Sequence, residues 1–485
     1  MNKIKKILFI WVFILFILPT SCTLGPKYTP PVVETPEEWK NAPSQEEPIC
    51  EEAPPFDYWW EIFQDETLNQ LENEALANNP NLAAAMERIF EARANAGVTK
   101  SDLYPHINLA PTFTDTGQLF KIYLPNVASN VATAVNPFQN FPTVYRIHQM
   151  QYGLLANMSY ELDLWGKLSG RYTSANLGMQ AQIEAYHTSL LTLTTDLASY
   201  YFQLRALDAQ INLYQDTINL RRSAYQLAEN RYRNGIVTYT DIAEASLELT
   251  NAESDYYEIA RQRALQENQI ALLIGKPASL FHLDSTPLRE PPPDVPIGMP
   301  SEVLLQRPDI AQAERQMAAQ HAQIGVAYAS FFPSLTLTGS IGFQSPDFHQ
   351  FLDWKSRFWQ MAASAFQTVL DGDKNKWNLE LAKSSFNETA DIYKQQVLIA
   401  FKEVEDALKN LEMQTKQSGS LQLSTRSARQ AADLSTRRYL AGTVDYLDVV
   451  NNERSVLTAE SAYITTLSNR YVSTIQLIKA LGGCW

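Results

Sequence analysis

Residues 231–242 read RYRNGIVTYTDI and residues 438–449 read RYLAGTVDYLDV, so the same block occurs twice in this 485-residue chain. The two blocks are 207 positions apart, and Leu273-Ile274-Gly275 and Ala480-Leu481-Gly482 keep that offset. Upstream, Pro80 to Pro105 and Pro308 to Pro333 have equal spacing at an offset of 228. Separated blocks at fixed spacing indicate an internal duplication.

The change of offset places an insertion in the first copy, between Pro105 and Asp163. The segment Thr114–Gln149 is rich in Asn, Pro, Thr and Phe, which is typical of loops. We therefore expect a long surface loop here.

The sequence of each copy predicts the element order helix, strand, loop, strand, long helix, turn, helix. Met179–Asn234 contains neither Gly nor Pro, and could reach roughly 80 Å as one helix. Three other segments also contain neither Gly nor Pro: Ile236–Ile274, Asp373–Ser418 and Thr443–Leu481. Apolar residues recur at steps of three and four along these segments, which a soluble coiled coil would also show.

The strands distinguish a membrane channel from a coiled coil. From Tyr152 to Leu164 every even position is apolar or aromatic, while the odd positions include Asn, Ser, Glu and Asp. Leu335–Gln344 alternates in the same way, Ile107–Phe113 is a shorter candidate, and Phe358–Val369 is the weakest. Such alternation is typical of barrel strands between lipid and a polar lumen, with a half-buried soluble strand as the alternative.

Four strands cannot close into a barrel, and an open edge in hydrocarbon leaves backbone groups unpaired. Two copies would give eight strands, whose interior side chains fill, whereas three would give twelve and leave a lumen. The predicted fold class is an α+β membrane protein: a trimeric 12-stranded β-barrel with four strands per chain, continued by a long α-helical barrel.

The N-terminus has the layout of a secretory leader. Lys3, Lys5 and Lys6 precede an apolar run that ends shortly before Cys22. A small residue directly before a cysteine predicts a lipoprotein signal peptide over residues 1–21 and a covalent lipid on Cys22, with ordinary cleavage nearby as the alternative. The remaining cysteines, Cys50 and Cys484, are too few for a disulfide framework.

Composition and motifs argue against several function classes. The formal net charge of −14 disfavours nucleic acid as a partner. The six histidines are far apart, without the spacing of metal ligands, and no nucleophile elbow, phosphate loop or paired-carboxylate motif occurs. We therefore predict no enzyme activity, no metal site and no cofactor other than the lipid.

Four motifs carry a resemblance to a known family. They are residues 22–28 with Pro30, Trp59-Trp60 with Phe63, Arg307-Pro308-Asp309-Ile310, and Phe332-Pro333-Ser334. Together they closely resemble the lipoprotein (NodT-like) branch of the TolC/OprM outer membrane factors, over essentially the whole mature chain. The resemblance implies a homotrimer in outer membrane lipid, working with a periplasmic adaptor and an inner-membrane pump of the RND type.

The resemblance also implies roles for the two matched blocks. Their glycines suit tight helix–turn–helix connections. In the family such turns form the periplasmic tip that the adaptor grips; a purely structural turn is the alternative. The adaptor-contact residues would be Gly235, Ile236, Val237, Gly442, Thr443 and Val444.

A periplasmic gate is expected just after these turns. By similarity, Asp448 lines the narrowest part of the pore, where three copies would form an anionic ring. Thr240, Asp241 and Tyr439 match positions whose hydrogen bonds hold neighbouring coils closed. Asp445 and Asn451 depart from the family pattern, in which an arginine and a second pore aspartate stand there. A solvated helix face would also carry such acids.

We expect the following domains: the signal peptide 1–21, an irregular collar 22–65, a first repeat 66–275, a Pro-rich linker 276–300, a second repeat 301–482 and a tail 483–485. The predicted function is an outer membrane channel subunit of a tripartite efflux system, a passive exit duct for small molecules. The alternatives are the exit duct of a type I protein secretion system and, more distantly, a structural lipoprotein that bridges envelope layers.

Overall fold

The computed structural model describes residues 25–41, 56–122, 143–288, 290–295 and 306–483. The predicted signal peptide and Cys22, Cys50 and Cys484 lie outside these residues. The α-helices are α1 (Glu66–Asn78), α2 (Pro80–Ser101), α3 (Lys167–Arg233), α4 (Tyr239–Leu273), α5 (Pro308–Ala329), α6 (Lys374–Leu440) and α7 (Tyr446–Leu481). The strands are β1 (His106–Ile122), β2 (Thr143–Leu162), β3 (Ser334–Ser345) and β4 (Arg357–Phe366). Short 3₁₀ helices lie at Phe56–Phe63, Ala278–Leu280, Phe348–Gln350 and Trp354–Ser356.

The element order confirms the duplicated pattern. The first copy runs α2, β1, β2, α3, α4 and the second runs α5, β3, β4, α6, α7. Helices α3 and α6 each contain 67 residues, far longer than ordinary globular helices. Helix α3 continues through Gly170 and Gly178, and α6 through Gly419, because a single helical glycine costs only about 1 kcal/mol.

The chain divides into two compact units. The first comprises the described parts of Met1–Tyr28, Ala94–Asn176 and Ala319–Phe386. The second comprises the described parts of Thr29–Arg93, Leu177–Ala318 and Asn387–Trp485.

The first unit contains one antiparallel sheet of order β1-β2-β3-β4. Its register aligns the alternating residues of all four strands. Leu154 lies opposite Pro111 and Phe343, Ala156 opposite Leu109 and Ile341, and Ile341 opposite Trp359. Because successive side chains point to opposite faces, one face of the sheet is apolar. The predicted two-faced strands are therefore confirmed.

The other face of the sheet is polar. Asn108, Asn157, Ser340 and Gln360 follow one another across the four strands. The Ser340 hydroxyl donates to Asn157 Oδ1 at 2.7 Å. On the apolar face, by contrast, Trp359 is 73% exposed, so the described residues leave most of this side chain uncovered.

The expected loop over Thr114–Gln149 is wrong at both ends. Strand β1 continues to Ile122, and β2 begins at Thr143, with Thr114 paired to Gln151 and Ile122 to Thr143. The ladder needs only paired backbone groups, which the two segments supply to each other without an apolar face. Residues 123–142 lie outside the described ranges.

Strand β2 also ends at Leu162, two residues before the predicted Leu164. The Asp163 carboxylate accepts the backbone N–H groups of Leu168 and Ser169 at 2.9 and 2.7 Å. Free N–H groups at a helix N-terminus need such an acceptor, so Asp163 serves the start of α3 rather than the strand.

The second unit has a core around the two tryptophans of the Trp59-Trp60 motif. Trp59 and Trp60 are each 1% exposed and pack with Leu68, Leu197 and Ile475. Trp59 Nε1 donates to Thr194 Oγ1 at 3.1 Å, which satisfies the buried indole. Packing within a core is therefore their role.

The Arg307-Pro308-Asp309 motif fixes the start of α5 in the second unit. The Arg307 guanidinium donates to both carboxylate oxygens of Asp309, at 3.0 and 2.6 Å. It also donates to the Ala480 carbonyl at 3.0 Å and pairs with Glu403 at 2.8 Å. A nearly buried arginine needs this many acceptors, and the contacts tie α5 to α6 and α7.

Candidate functional site

The two predicted turns have the same backbone. Gly235 has φ +70° and Gly442 has φ +74°. In the first turn the Ile236 N–H donates to the Arg231 carbonyl at 2.9 Å; in the second the Thr443 N–H donates to the Arg438 carbonyl at 3.0 Å. Both are helix ends with a left-handed glycine, a conformation that costs other residues about 1–2 kcal/mol. We call α3 and α4 the first hairpin, and α6 and α7 the second hairpin.

The predicted tip residues surround these glycines. Ile236 and Thr443 are exposed, whereas Val237 and Val444 are half-buried. The Thr443 hydroxyl donates to the Arg438 carbonyl at 3.0 Å, so this side chain also caps α6. The turns thus present Ile236, which is 69% exposed, as their main apolar group.

The predicted gate residues are distributed over both hairpins. Asp445 precedes α7 as its N-cap, and Asp448 lies exposed in the first turn of that helix. Asn451 lies one turn further and is also exposed. Asp445 and Asp448 lie at the N-terminus of α7, where the helix dipole attracts negative charge.

Asp241 has a local function that the sequence did not suggest. Its carboxylate accepts the Thr238 N–H at 3.3 Å and so caps the start of α4. Thr240 next to it is exposed. The carboxylate that was predicted to bind a neighbouring coil therefore already has a partner within its own turn.

Tyr439, another predicted gate residue, lies in a buried cluster between the hairpins. This tyrosine cluster consists of Ala228, Ala245, Tyr439, Tyr446, Val449 and Val450. The Tyr439 and Tyr446 rings are 5.4 Å apart, and the Arg231 guanidinium lies 4.7 Å from the Tyr439 ring centroid. The cation–π contact joins the first hairpin to the second.

The equivalent tyrosines of the first hairpin are exposed. Tyr232 and Tyr239 correspond to Tyr439 and Tyr446 at the offset of 207. Their rings are 6.1 Å apart, and the exposed fractions are 45% and 68%, compared with 9% and 6% in the second hairpin. The equivalent tyrosine pairs of this chain are therefore buried in the second hairpin and exposed in the first.

A buried ion cluster that the sequence did not reveal ties the hairpins together. Glu248 on α4 is 4% exposed; it pairs with Arg221 of α3 at 3.1 Å and accepts from Arg454 of α7 at 3.0 Å. Arg221 also donates to the Glu248 carbonyl at 2.7 Å. Nearby, burial raises the pKa of Glu453, as does Glu248, while Arg221 lowers it. The charge pattern alone did not distinguish these groups from a solvated helix face.

A groove of about 700 Å³ lies beside this ion cluster. Its wall is mainly polar and includes Tyr214, Asn251, Gln417, Thr458 and Asn469. Among the described residues no three His, Cys, Asp or Glu side chains could hold a metal ion together. None of the helices in the described ranges is both long and apolar enough to cross a membrane. The site therefore consists of two helical hairpins joined by buried ion pairs and lined by polar side chains.

The two-faced four-stranded sheet and the paired long hairpins define the class of protein. They form the TolC-like fold of outer membrane channel subunits, as the sequence predicted. The chain belongs to the outer membrane efflux protein family, whose model matches residues 71–276 and 299–483. It is accordingly an outer membrane efflux channel that extends into the periplasm, and not an enzyme.

Individual relatives cover nearly the whole chain. Outer membrane protein OprJ of Pseudomonas aeruginosa is 28% identical over 96% of this chain and 93% of its own length. The probable outer membrane lipoprotein SilC of Salmonella typhimurium is 27% identical over 97% of each. The crystal structure of the Campylobacter jejuni CmeC outer membrane channel superposes with a TM-score of 0.83, at 26% identity over 95% of each chain.

Proposed function

We propose that three copies of this chain form one pore and serve as the passive exit duct of a tripartite efflux system for small molecules. The supporting observation is the sheet: it has β1 and β4 as its edges and an exposed apolar face. In hydrocarbon each unpaired backbone group costs several kcal/mol, so these edges need partners. Three copies would supply twelve strands, enough for a lumen.

The assembly is tested by purifying the full chain in mild detergent. We expect a trimer by light scattering and a band of trimer size on gels run without heating. A monomer that stays water-soluble without its lipid would contradict the proposal. In cells, deletion should cause hypersensitivity to small toxic compounds; loss of a secreted protein instead would favour a secretion duct.

The partners are a periplasmic adaptor and an inner-membrane pump of the RND type. We propose that the adaptor contacts Gly235, Ile236 and Val237 of the first turn and Gly442, Thr443 and Val444 of the second. The exposed Ile236 supports this, because an uncovered apolar side chain at a turn suits a protein contact. Ile236→Asp should abolish copurification of the adaptor but leave the trimer intact. Thr240→Asn provides a control nearby.

We also propose that the chain consists of two repeats, over residues 66–275 and 301–482. In addition, we propose that Cys22 carries a covalent lipid. The small residue before Cys22 supports lipidation, as does the likeness to SilC, a probable outer membrane lipoprotein. Labelled palmitate should be incorporated by the wild type and by Cys50→Ala but not by Cys22→Ala. Label on the Cys22→Ala chain would disprove the assignment.

The gate proposal centres on Asp448, with Asp241, Thr240, Tyr439, Asp445 and Asn451 around it. Three copies of Asp448 would form an anionic ring, which attracts cations and makes the closed pore cation-selective. The exposed position of Asp448 supports this, since its carboxylate is free to face a lumen.

Planar bilayer recordings test the ring. We expect Asp448→Asn to reduce cation selectivity strongly, because the variant keeps the size of the side chain and removes the charge. Asp445→Asn is the matched control, because it removes an acidic charge at the N-cap position of α7, three residues before Asp448, and we expect a smaller effect. Unchanged selectivity in Asp448→Asn would disprove the gate assignment.

A further inference from the structure

The polar face of the four-stranded sheet includes one row of positions that is apolar on every strand. We call it the apolar row; its members, paired from strand to strand, are Ala110, Leu155, Gly342 and Phe358. It lies beside the polar row, which consists of Asn108, Asn157, Ser340 and Gln360. Positions two apart along a strand share a face, so both rows belong to the face opposite to Trp359. Apolar residues therefore cross the whole width of the polar face.

Packing within the sheet explains only part of the apolar row. A Cβ added at Gly342 would lie 2.1 Å from the Leu154 carbonyl oxygen, so only glycine fits there. An aromatic residue on the next strand is a common way to cover such a glycine, and Phe358 is paired with Gly342 and half-buried. Covering the glycine does not require Ala110, which lies two strands away from it. The row thus extends beyond what the glycine needs.

The face around the apolar row is nearly free of charge. Glu161 is the one carboxylate among the described positions of this face, and it pairs with Lys167 at 3.1 Å. No lysine or arginine occupies a described position of the face. On either side of the apolar row the positions carry amides and hydroxyls, among them Thr112, Gln344 and Gln360. An uncharged molecule with a polar and an apolar part therefore finds partners for both parts, whereas a charged one finds no unpaired opposite charge.

We propose that the apolar row binds the apolar part of uncharged organic cargo inside the barrel, while the polar row beside it binds the polar part. This inference rests on the proposed duct, in which the polar face lines the lumen. Side chains do not fill a twelve-stranded barrel, so the row is a binding surface and not a plug. Its four positions span three strand spacings, about 14 Å, which is long enough for one or two rings. Because barrel strands tilt by about 35–45°, the row runs obliquely and follows the direction of transport.

Protection of an engineered thiol tests this site. We place Gln360→Cys, in the polar row, in a chain that also carries Cys50→Ser and Cys484→Ser, and reconstitute it in liposomes. The rate of its reaction with a water-soluble thiosulfonate is measured with and without 4-nitrophenyl glucoside, an uncharged probe with an aromatic ring. We expect this probe to slow the reaction several-fold and glucose, which lacks the ring, to have no effect. Phe358→Ser should remove the protection, whereas Phe358→Leu should keep most of it.

The outcomes separate this inference from the proposed function. A trimer whose Gln360→Cys thiol reacts equally fast with and without the probe would overturn the binding site and leave the function standing. Protection that persists in Phe358→Ser would do the same. Leu155→Thr is a second variant that a strand accommodates, and it should also weaken the protection. Leu154→Cys, on the opposite face, should not react; a reactive Leu154→Cys beside an unreactive Gln360→Cys would show that the polar face does not line the lumen. A monomer would overturn both the inference and the function.

Discussion

The turn at Gly235 and the turn at Gly442 close with the same hydrogen bonds around a left-handed glycine. Their surroundings differ. Tyr439 and Tyr446 are buried beside the second turn, whereas Tyr232 is 45% exposed beside the first. The duplicated sequence therefore determines the backbone, while burial depends on which hairpin lies next to each turn.

The charges differ between the hairpins as well. Glu248 of the first hairpin holds Arg221 and Arg454, but Ser455 stands at its equivalent position in the second. Glu453 of the second hairpin likewise corresponds to Ser246 of the first. The two copies thus differ at these buried polar positions, whereas one exposed pair is kept: Arg222 with Glu253 in the first hairpin and Arg429 with Glu460 in the second. We expect the following changes to sharpen or to break this comparison.

The largest effect is expected from Glu248→Ala. The change would leave the buried Arg221 without its carboxylate, which costs about 3–5 kcal/mol for a buried pair. The matched control is Glu253→Ala, whose partner Arg222 is half-exposed, so its loss should cost less than about 1 kcal/mol. Thermal unfolding followed by circular dichroism measures both. Equal shifts would show that the ion cluster does not hold the hairpins together.

The sequence predicted the backbone far better than the packing. The spacing of the repeat and the alternation in Tyr152–Leu164 were enough for the element order and the two faces of the sheet, because both depend on local periodicity. The extension of β1 beyond Phe113 was missed, since its residues alternate poorly and backbone pairing leaves no side-chain pattern.

The candidate site was predictable only in part. The matched blocks located both turns, because a left-handed helix end favours glycine. Nothing in the sequence distinguished the buried Tyr439 from the exposed Tyr232, or Glu248 from a solvated glutamate. These differences arise from contacts between residues that are distant in the chain. The mismatch of Glu248 with Ser455 in the repeat does not by itself indicate burial.

An intermediate and equal effect is expected at the two turn glycines. A Cβ added at Gly235 or Gly442 would meet no atom within 4 Å, so the cost of an alanine comes from the positive φ alone. We expect about 1–2 kcal/mol of destabilisation for each of Gly235→Ala and Gly442→Ala. Clearly unequal costs would refute a shared backbone.

Gly419 provides a control at which we expect alanine to stabilise the chain instead of destabilising it. It lies inside α6, and an added Cβ there also meets nothing within 4 Å. Because alanine favours the helix over glycine, Gly419→Ala should stabilise the chain by about 0.5–1 kcal/mol. The three variants are compared by the midpoint of thermal unfolding in the same detergent.

The smallest effect is expected at Glu453, and it depends on pH. Burial raises the pKa of this carboxyl above its usual value in the folded chain. Its contribution to stability is therefore fully present below the unfolded pKa of about 4.3 and is lost as pH rises through the folded pKa. We expect Glu453→Gln to be more stable than the wild type at pH 8 and equally stable at pH 4.

Glu258 on α4 provides a control, because its contribution to stability should change with pH in the opposite direction. Hydrogen bonds from Arg261 and Gln262 lower the pKa of this exposed carboxyl to about 2. Its contribution is present above the unfolded pKa and is lost as pH falls towards 2, so Glu258→Gln should cost stability at pH 8 and progressively less in acid. Unfolding midpoints of both variants from pH 2 to 8 decide the matter. If Glu453→Gln followed the same trend as Glu258→Gln, its carboxyl would be paired like a surface acid, and the contrast between buried and exposed charge in the two hairpins would be lost.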